Sequence, residues 1–365
     1  MTGTSASDST RIRVSLIALL GCVACGRSQE RQHVSEGLVH VSAEEAIAWH
    51  GRGTVMFSHL EQWAQGNFSQ PDCKGSGVYA VDSLGKSAPL LTGAAVCDIL
   101  LAGRVVDASP DGTGFIYYRA RRFLHLAFKS GRSTPVTDSL SGLSQVAAWR
   151  PDGRRILFPD SSDGDKHLYL YLVNPDGSSR RSVRSLGDWR VASVPSWSPD
   201  MQRTVFAVYP AGRAPYLTPG AVVVADTLGN PWRVVASGYE PSWSPLGEWI
   251  AYISISTRSS NKSVRQPGQP SLDGSTGTVH TLVYSLRIVR PDGTADRELY
   301  RSSDTATFGM HDRTIEGGPW GRLVWSSDGA RVAFARRFEA GSTVWVIRVD
   351  GTQLTSLTTG DIRQP

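Results

Sequence analysis

Alternation of apolar and polar residues over short stretches is the main pattern of the chain, and residues that favour turns separate these stretches. One example is Gly77–Asp82, which is followed by the turn-forming segment Ser83–Lys86 and by a second short run, Ala88–Thr92. Alternation with a period of two places successive side chains on opposite faces, as in a half-buried strand. Two such runs joined by a short turn predict a β-hairpin. The chain as a whole is therefore predicted to be all-β.

A motif in which a tryptophan precedes a tight turn recurs along the chain. The copies continue as Ser-Pro-Asp-Gly or a close variant, and they begin at Ala108, Trp149, Trp197, Trp243 and Trp325. An aromatic residue stands nine positions after the first residue of each copy, at Tyr117, Phe158, Phe206, Tyr252 and Phe334. Further strand-like runs that end in tight turns follow at Leu168–Gly177, Val222–Gly229, Leu286–Gly293 and Val344–Gly351. Each unit is thus predicted to form one antiparallel sheet of four strands.

The residue types of the motif suit a tight turn and packing between sheets. Proline presets the backbone of the first turn position, aspartate accepts hydrogen bonds from backbone N–H groups two residues on, and glycine adopts positive φ. The tryptophan and the later aromatic residue alternate with polar neighbours, so they lie on one face of the sheet. One sheet cannot bury that face alone, whereas sheets stacked radially cover one another. A β-propeller is therefore favoured over isolated hairpins.

The segments Pro195–Asp200 and Pro241–Pro245 read Pro-Ser-Trp-Ser-Pro-Asp and Pro-Ser-Trp-Ser-Pro. With these WD40-like repeats the sequence resembles the TolB-like six-bladed β-propellers over about residues 40–361. It departs from their repeat at the turn glycine, aspartate, proline and tryptophan, which are replaced by Met201, Leu246, Ser327 and Ala108. We expect altered turns in these blades and an unchanged register. The resemblance implies the propeller fold and a non-catalytic binding role in the cell envelope.

Six blades are expected if the degenerate stretch Trp49–Phe57 belongs to the first one. The interval between Trp243 and Trp325 would also fit a seventh blade. We favour six, because Thr257–Gly277 is rich in Ser, Gly, Asn and Gln and contains no alternating run, which predicts an inserted loop. The strand Gly37–Val41 is a candidate to pair with the last blade and close the ring.

Composition and charge exclude several classes of protein. The 365 residues include 40% hydrophobic and 19% charged residues, which excludes a disordered chain and a multi-span membrane protein. The net charge of +5 is spread along the chain without a Lys/Arg run, so no nucleic-acid partner is expected. We expect a monomer.

The N-terminal residues have the features of an export signal. Arg11 and Arg13 precede the apolar run Val14–Leu20, which is too short to cross a bilayer as a helix. Small residues then precede Cys22 and Cys25, as in the bacterial lipobox that this segment resembles, and Cys22 is the preferred lipidation site. The alternative is cleavage by the ordinary signal peptidase, which would give a soluble periplasmic protein. The expected organisation is a lipoprotein signal peptide at 1–21, a tether at 22–36 and a propeller at 37–361.

This leader predicts an exported protein on the periplasmic side of the outer membrane or at the cell surface, attached to the membrane by lipid alone. In that oxidising setting the remaining cysteines, Cys73 and Cys97, are expected to form a disulfide. They are symmetric about the centre of the predicted hairpin, near Gly85, and so lie opposite one another beyond its strands. Two buried free thiols are the alternative.

Long insertions indicate which face of the ring carries function. In a four-stranded antiparallel blade, the first and third turns leave one face of the ring, whereas the second turn and the connector to the next blade leave the other. The long insertions all belong to the second group: His59–Ser76, Tyr209–Gly220, Thr257–His280 and Tyr300–Arg322. Loops on a rigid scaffold commonly carry binding residues, and aromatic residues and arginine are enriched in interaction hot spots. The candidate binding residues are therefore Trp63, Phe68, Tyr209, Tyr216, Phe308, His311, Arg313 and Trp320. Variable surface loops without a ligand are the alternative.

Catalytic motifs are missing from the sequence. It contains no Gly-x-Ser-x-Gly, His-x-x-x-His or His-Glu-x-x-His, and Gly85-Lys86-Ser87 lacks the upstream glycine of a phosphate loop. We therefore expect no catalytic residue, metal or cofactor, and a scaffold that presents its loop-rich face to an envelope protein or peptide. The alternative is a metal-dependent carbohydrate-active enzyme, a lyase or hydrolase, with its site in the channel. Its metal ligands would be dispersed histidines such as His59, His280 and His311.

Overall fold

The fold is taken from a computed structural model of the chain. It describes residues 39–50, 54–65, 68–82, 84–92, 96–97, 99–100, 104–141, 145–161, 167–211, 220–227, 232–263, 276–306, 319–338 and 341–358. The predicted signal peptide, the lipidation site Cys22 and the tether lie outside these residues. Within them, no helix is long and apolar enough to span a membrane.

The described strands form six antiparallel blades arranged as a β-propeller, and each blade comes from one continuous stretch of chain. Blade 1 contains β1 (Val39–His50), β2 (Thr54–Gln65), β3 (Phe68–Asp82) and β4 (Ser87–Thr92), and blade 2 contains β5 (Arg104–Ala108), β6 (Gly114–Arg119), β7 (Arg122–Ala127) and β8 (Ser133–Pro135). Blade 3 contains β9 (Ala148–Trp149), β10 (Ile156–Ser161), β11 (Leu168–Val173) and β12 (Arg181–Gly187), and blade 4 contains β13 (Trp189–Val191), β14 (Ser196–Trp197), β15 (Arg203–Pro210), β16 (Ala221–Asp226) and β17 (Arg233–Ser237). Blade 5 contains β18 (Tyr239–Trp243), β19 (Ile250–Ser263), β20 (Thr276–Val289) and β21 (Arg297–Ala306), and blade 6 contains β22 (Pro319–Trp325), β23 (Arg331–Phe338), β24 (Gly341–Arg348) and β25 (Thr355–Ser356). The all-β propeller and its six blades are thus confirmed.

The first strand of blade 4 is interrupted, because β13 and β14 both pair with β15. Ser193 lies in the interruption and its hydroxyl accepts a hydrogen bond from the backbone N–H of Ala207 at 2.8 Å. That bond replaces a missing ladder bond, so the four-stranded register of the blade is kept.

The strand expected to close the ring, β1, pairs with β2 of blade 1 and also with β24 of blade 6. Val39–Val41 themselves pair with Gln62–Ala64 of β2. The ladder between blades 6 and 1 is a single parallel pair, Ser42 with Gly341. The segment is drawn into blade 1 because β2 continues well past the core and offers it an unpaired edge.

The core consists of apolar clusters that lie between neighbouring blades. One cluster joins Phe57 and Tyr79 of blade 1 to Val324 and Val344 of blade 6, and comparable clusters join the other blades around the ring. The aromatic residues predicted nine positions into each repeat are all buried, with exposed fractions of 0–3%: Tyr117, Phe158, Phe206, Tyr252 and Phe334. Packing between sheets, as the motif predicts, therefore holds the ring together.

One end of the ring, which we name the turn face, carries the first and third turns of each blade. The motif aspartates Asp111, Asp152, Asp200 and Asp328 each accept a hydrogen bond from the backbone N–H two residues on, at 2.9–3.1 Å. This is the structural role that their turn positions predict. Where Met201 replaces the turn glycine, the left-handed conformation persists with φ 58°, so the turn survives the substitution.

The opposite end, which we name the hairpin face, carries the second turn of each blade and the connectors. Here the sequence predicts an inserted loop at Thr257–Gly277, and this is wrong at both ends of the segment, which form strands. Strands β19 and β20 continue as a paired ribbon as far as Ser263 and Thr276. Strands β2 and β3 likewise pair as far as Gln65 and Phe68. Backbone pairing needs no alternating apolar pattern, so such ribbons escape a search that relies on hydrophobic periodicity.

The predicted hairpin and disulfide of blade 1 are both confirmed. Gly77–Val81 pair with Ser87–Thr92 across the turn. The sulfurs of Cys73 and Cys97 are 2.06 Å apart, and their Cα atoms are 5.2 Å apart. Cys73 lies within β3 rather than beyond it, because this strand extends toward the hairpin face.

Candidate functional site

The site that the described residues build is a pocket on the ring axis at the turn face, which we name the channel mouth. Its volume is 400 Å³. Five blades contribute the ends of their inner strands or the prolines of their first turns. The tryptophans and prolines of the lining are Trp49, Pro151, Trp197, Pro199, Trp243, Pro245 and Trp325.

The repeat explains why tryptophan lines this pocket. The motif tryptophan is the last residue of each inner strand in blades 3 to 6, where it meets the turn, so these rings point to equivalent places around the axis. Trp325 donates through Nε1 to the carbonyl of Ser242 in the preceding blade, blade 5, at 3.0 Å. The guanidinium of Arg203 lies 5.0 Å from the ring centre of Trp243. Contacts with neighbouring residues therefore hold the rings of Trp325 and Trp243 in place.

An ion pair at this pocket joins two blades that are not neighbours. Arg322 of β22 lines the mouth and donates to the carboxylate of Asp107 in β5, and also to the carbonyl of Val106 at 3.0 Å. The second carboxylate oxygen of Asp107 accepts from the backbone N–H of Trp149 at 2.7 Å. Blades 6 and 2 are not neighbours, since blade 1 stands between them. One carboxylate thus ties three blades together at the axis.

Burial dominates the electrostatics of this carboxylate. Asp107 is 6% exposed, and its removal from water raises the pKa of the carboxyl. The charge of Arg322 and the hydrogen bonds from Trp149 and Arg322 act in the opposite direction and only partly offset that rise. A buried charge held by a single arginine makes this position sensitive to the loss of that partner.

Four of the candidate residues predicted from the insertions are described, and they lie toward the hairpin face. Trp63 and Phe68 lie in β2 and β3 near the tip of the blade 1 ribbon, and Trp320 lies in β22. Tyr209 is half-buried near the end of β15 and pairs with Arg190. The remaining predicted residues lie outside the described part of the chain: Tyr216, Phe308, His311 and Arg313. Whether these residues form one site therefore stays a prediction.

The histidine considered as a dispersed metal ligand in blade 1 is a core residue. His59 is fully buried and packs edge to face on Tyr79, with ring centres 5.8 Å apart. Within the described ranges, no group of three or more His, Cys, Asp or Glu side chains is placed to hold a metal ion.

Sequence reasoning considered a site in the channel but did not identify the residues of the channel mouth or its ion pair. The motif predicts that its tryptophans pack between sheets, whereas their convergence on the axis depends on the geometry of the whole ring. Asp107 directly precedes a motif copy, at the position where Ser196 of blade 4 bonds the backbone N–H of Trp243. That position is a usable signal for Asp107, whereas nothing near Arg322 marks its partner 215 residues away.

Solved structures with this architecture include a protein assigned as TolB from Agrobacterium tumefaciens. Its TM-score is 0.50, with 15% sequence identity, and the match covers 87% of this chain and 89% of that chain. The fold is that of a TolB-like six-bladed β-propeller. TolB from Acinetobacter baumannii is similar with a TM-score of 0.48 and 13% identity over 86% of this chain and 78% of that chain. An oligogalacturonate lyase in complex with manganese is similar with a TM-score of 0.44 and 13% identity over 84% and 90% of the two chains. At these sequence identities, the similarity of this TolB-like propeller to the three solved structures shows a shared fold and nothing more.

Sequence comparison adds one curated relative. An uncharacterized protein of Agrobacterium fabrum strain C58, Atu1656, is 29% identical over 160 residues, which is 40% of this chain and 52% of that protein. The chain thus spans about half the length of the curated relative it matches. No protein-family model matches the chain.

Proposed function

We propose that the chain is a non-catalytic binding protein of the cell envelope that receives a segment of a protein or peptide partner at the channel mouth. The observation that carries this proposal is the lining of that pocket, in which rigid tryptophan and proline side chains from five blades surround an open space of 400 Å³. Clefts of this volume are typical of ligand pockets. Aromatic residues together with an arginine, here Arg322 in the lining, are typical of binding hot spots.

The envelope location rests on the leader and on the disulfide. An apolar run after two arginines, followed by Cys22, supports export and lipid attachment. The Cys73–Cys97 disulfide suits an oxidising compartment. The tether would then hold a monomeric propeller away from the membrane, with its faces accessible to other envelope proteins. The elaborated hairpin face remains the second proposed location for binding.

Site-specific photo-crosslinking in cells separates the two faces. A photoreactive residue is placed at Pro199 or Pro245 on the rim of the channel mouth, at Tyr209 on the hairpin face, and at Leu84 as a control. Pro199 and Pro245 are exposed, so substitution leaves the core intact, and Leu84 is 91% exposed in a turn of blade 1. We expect a covalent adduct of one defined mass from both rim positions and none from Leu84.

The captured partner is then purified and its affinity measured. Replacing Pro199 or Pro245 by glutamate is expected to weaken binding by about tenfold, because a charge enters an apolar contact. Capture from Tyr209 alone would move the site to the hairpin face. If no position captures a protein, the binding role is wrong and the carbohydrate-active alternative becomes the one to test.

A further inference from the structure

The first turns of blades 2, 4, 5 and 6 share a hydrogen bond that blade 3 lacks. In blades 2, 4, 5 and 6 the residue after the inner strand is a serine, and its hydroxyl accepts a hydrogen bond from the backbone N–H five residues on. The donors are Gly114, Arg203, Trp249 and Arg331, at 2.9–3.1 Å. This bond closes the turn from inside, so the serine has a structural role in each of the four blades.

Blade 3 carries Arg150 at this position, and a guanidinium side chain cannot make that bond. The backbone part of the turn is kept, since Arg150 N–H donates to the carbonyl of Arg155 at 2.8 Å. The side chain instead lies with its guanidinium 5.9 Å from the ring centre of Trp197 and its Nε 3.7 Å from the carboxylate of Asp152. The blade thus gives up an internal hydrogen bond and gains a cation at its surface.

Two further arginines follow at once, and the three form one open groove between the first and third turns of blade 3. The groove has a volume of 740 Å³ and is lined by Arg150, Arg154, Arg155, Asp152, Asn174 and Asp176. The carboxylates are already engaged within their own turns, because Asp152 accepts from the N–H of Arg154 and Asp176 accepts from both the N–H and the hydroxyl of Ser178. Three guanidinium groups against two carboxylates leave the groove with an excess of positive charge.

Two N–H donors in this groove make no hydrogen bond, although one of them, Nε of Arg150, lies 3.7 Å from the carboxylate of Asp152. The Nε of Arg150 and one terminal nitrogen of Arg155, Nη1, are buried and make no hydrogen bond to any described residue. A buried donor that is left unpaired costs about 1–3 kcal/mol, and more when it carries charge. An acceptor from outside the chain, a water molecule or an anion, would satisfy them.

We propose that the blade 3 groove binds an oxyanion, a phosphate or carboxylate group of a small soluble ligand, through Arg150 and Arg155. The paired donors of an arginine match the geometry of these groups, and charge-assisted bonds of this kind are strong. The groove is of the size that holds ligands from a sugar acid to a nucleotide. This inference does not depend on the proposed binding of a protein at the channel mouth.

A second arginine-containing groove provides the internal comparison. It lies between blades 4 and 5 and contains Arg203, Arg233 and Arg290. Arg203 pairs with Asp200 and covers Trp243, and Arg290 covers Trp249. None of these arginines contributes a buried unpaired donor among the described residues. The number of arginines alone therefore does not distinguish the blade 3 groove, whereas the unpaired donors do.

The test is NMR of the Arg Nε–H groups in the purified propeller during titration with inorganic phosphate or with citrate. Sodium chloride at equal ionic strength is the reference for screening. We expect a saturable downfield shift of the Arg150 resonance with at least one of the two anions, because its proton gains an acceptor. The two arms distinguish a phosphate ligand from a carboxylate ligand.

Variants separate binding from structure. Arg150→Ser restores the serine of the other blades, so we expect it to weaken anion binding by about tenfold while the Tm stays equal or rises. Arg155→Gln is expected to weaken binding to a similar extent. Arg331→Gln changes the arginine at the same repeat position in blade 6 and should leave binding unchanged. A shift that chloride reproduces, no saturable shift, or equal affinity in Arg150→Ser would overturn the proposal.

Discussion

The two faces of the ring are built on different principles. On the turn face, short turns are closed by named side chains, such as Ser326, whose hydroxyl meets both Asp328 and the backbone of Arg331. On the hairpin face, the β2–β3 and β19–β20 ribbons extend by backbone pairing. The turns of the turn face thus depend on particular side chains, whereas the ribbons of the hairpin face depend on backbone pairing and can differ in length. In this propeller the residues that repeat from blade to blade support the fold. Where one blade departs from the repeat, as at Arg150, the residue is not required for the fold.

The largest expected loss of stability comes from breaking the Asp107–Arg322 ion pair on the ring axis, between the two faces. Arg322→Ala leaves the buried carboxylate of Asp107 without its cation, so we expect the free energy of unfolding to fall by about 3 kcal/mol. Chemical denaturation at pH 7 measures this change. The loss should shrink in acid, because burial raises the pKa of Asp107 and the protonated carboxyl no longer needs a counter-charge.

An exposed pair supplies the control for this variant. Arg348 lies 3.3 Å from Asp350 in a surface turn of blade 6, with both side chains well exposed. Arg348→Ala should change stability by less than about 1 kcal/mol. Equal effects of the two substitutions would mean that the Asp107–Arg322 pair does not bridge the ring.

The next largest loss of stability is expected on removing the disulfide, and it shows whether the hairpin face depends on a covalent cross-link. The Cys73–Cys97 disulfide closes a separation of 24 residues. Replacing both cysteines by serine is expected to lower the free energy of unfolding by about 3 kcal/mol, because the unfolded chain regains loop entropy. Denaturation of the oxidised native protein and of the serine variant measures the difference. An unchanged midpoint would show that blade 1 is held by packing alone.

A smaller effect comes from equivalent turn positions in blades 3 and 4. Met201 has φ 58°, and Gly153 at the equivalent position has φ 71°. Met201→Gly should raise stability and Gly153→Ala should lower it, each by about 1 kcal/mol, since only glycine adopts this conformation without strain. A Cβ at Gly153 would meet no atom within 4 Å, so the backbone alone decides the result. Thermal melts of the two variants should therefore shift in opposite directions.

The smallest effect is the acid response of the turn face. Hydrogen bonds from neighbouring Ser or Thr groups lower the pKa of Asp111, Asp176, Asp200, Asp292, Asp328 and Asp350 below the usual value of 3.8. Because the folded-state pKa is depressed, the stability from these bonds is present above about pH 4 and is lost as the pH falls through the folded-state pKa. Unfolding measured from pH 5 to pH 2 should show a gradual loss. Asp328→Asn should reduce that slope, and an identical slope would contradict the assignment.

The turn face could be predicted from the sequence because its determinants are local. The Trp-Ser-Pro-Asp-Gly copies fix the ends of the strands, and the inner strands end at Trp149, Trp197, Trp243 and Trp325 as expected. The ribbons of the hairpin face could not be predicted, since serine-rich strands pair through their backbones without a hydrophobic signal. The residues of the channel mouth could not be predicted either, because residues such as Arg322 and Asp107 are distant in sequence and meet only when the ring closes.

The contact between Asp107 and Arg322 also bears on the order in which the protein folds. The strand pairs within each blade join nearby segments of chain, whereas Arg322 and Asp107 are separated by 215 residues. Loops of that length are entropically costly to close, and long-range pairing slows folding. We therefore expect the blades to form early and the ring to close last, with the Asp107–Arg322 pair among the last interactions to form and the first to break when the protein unfolds.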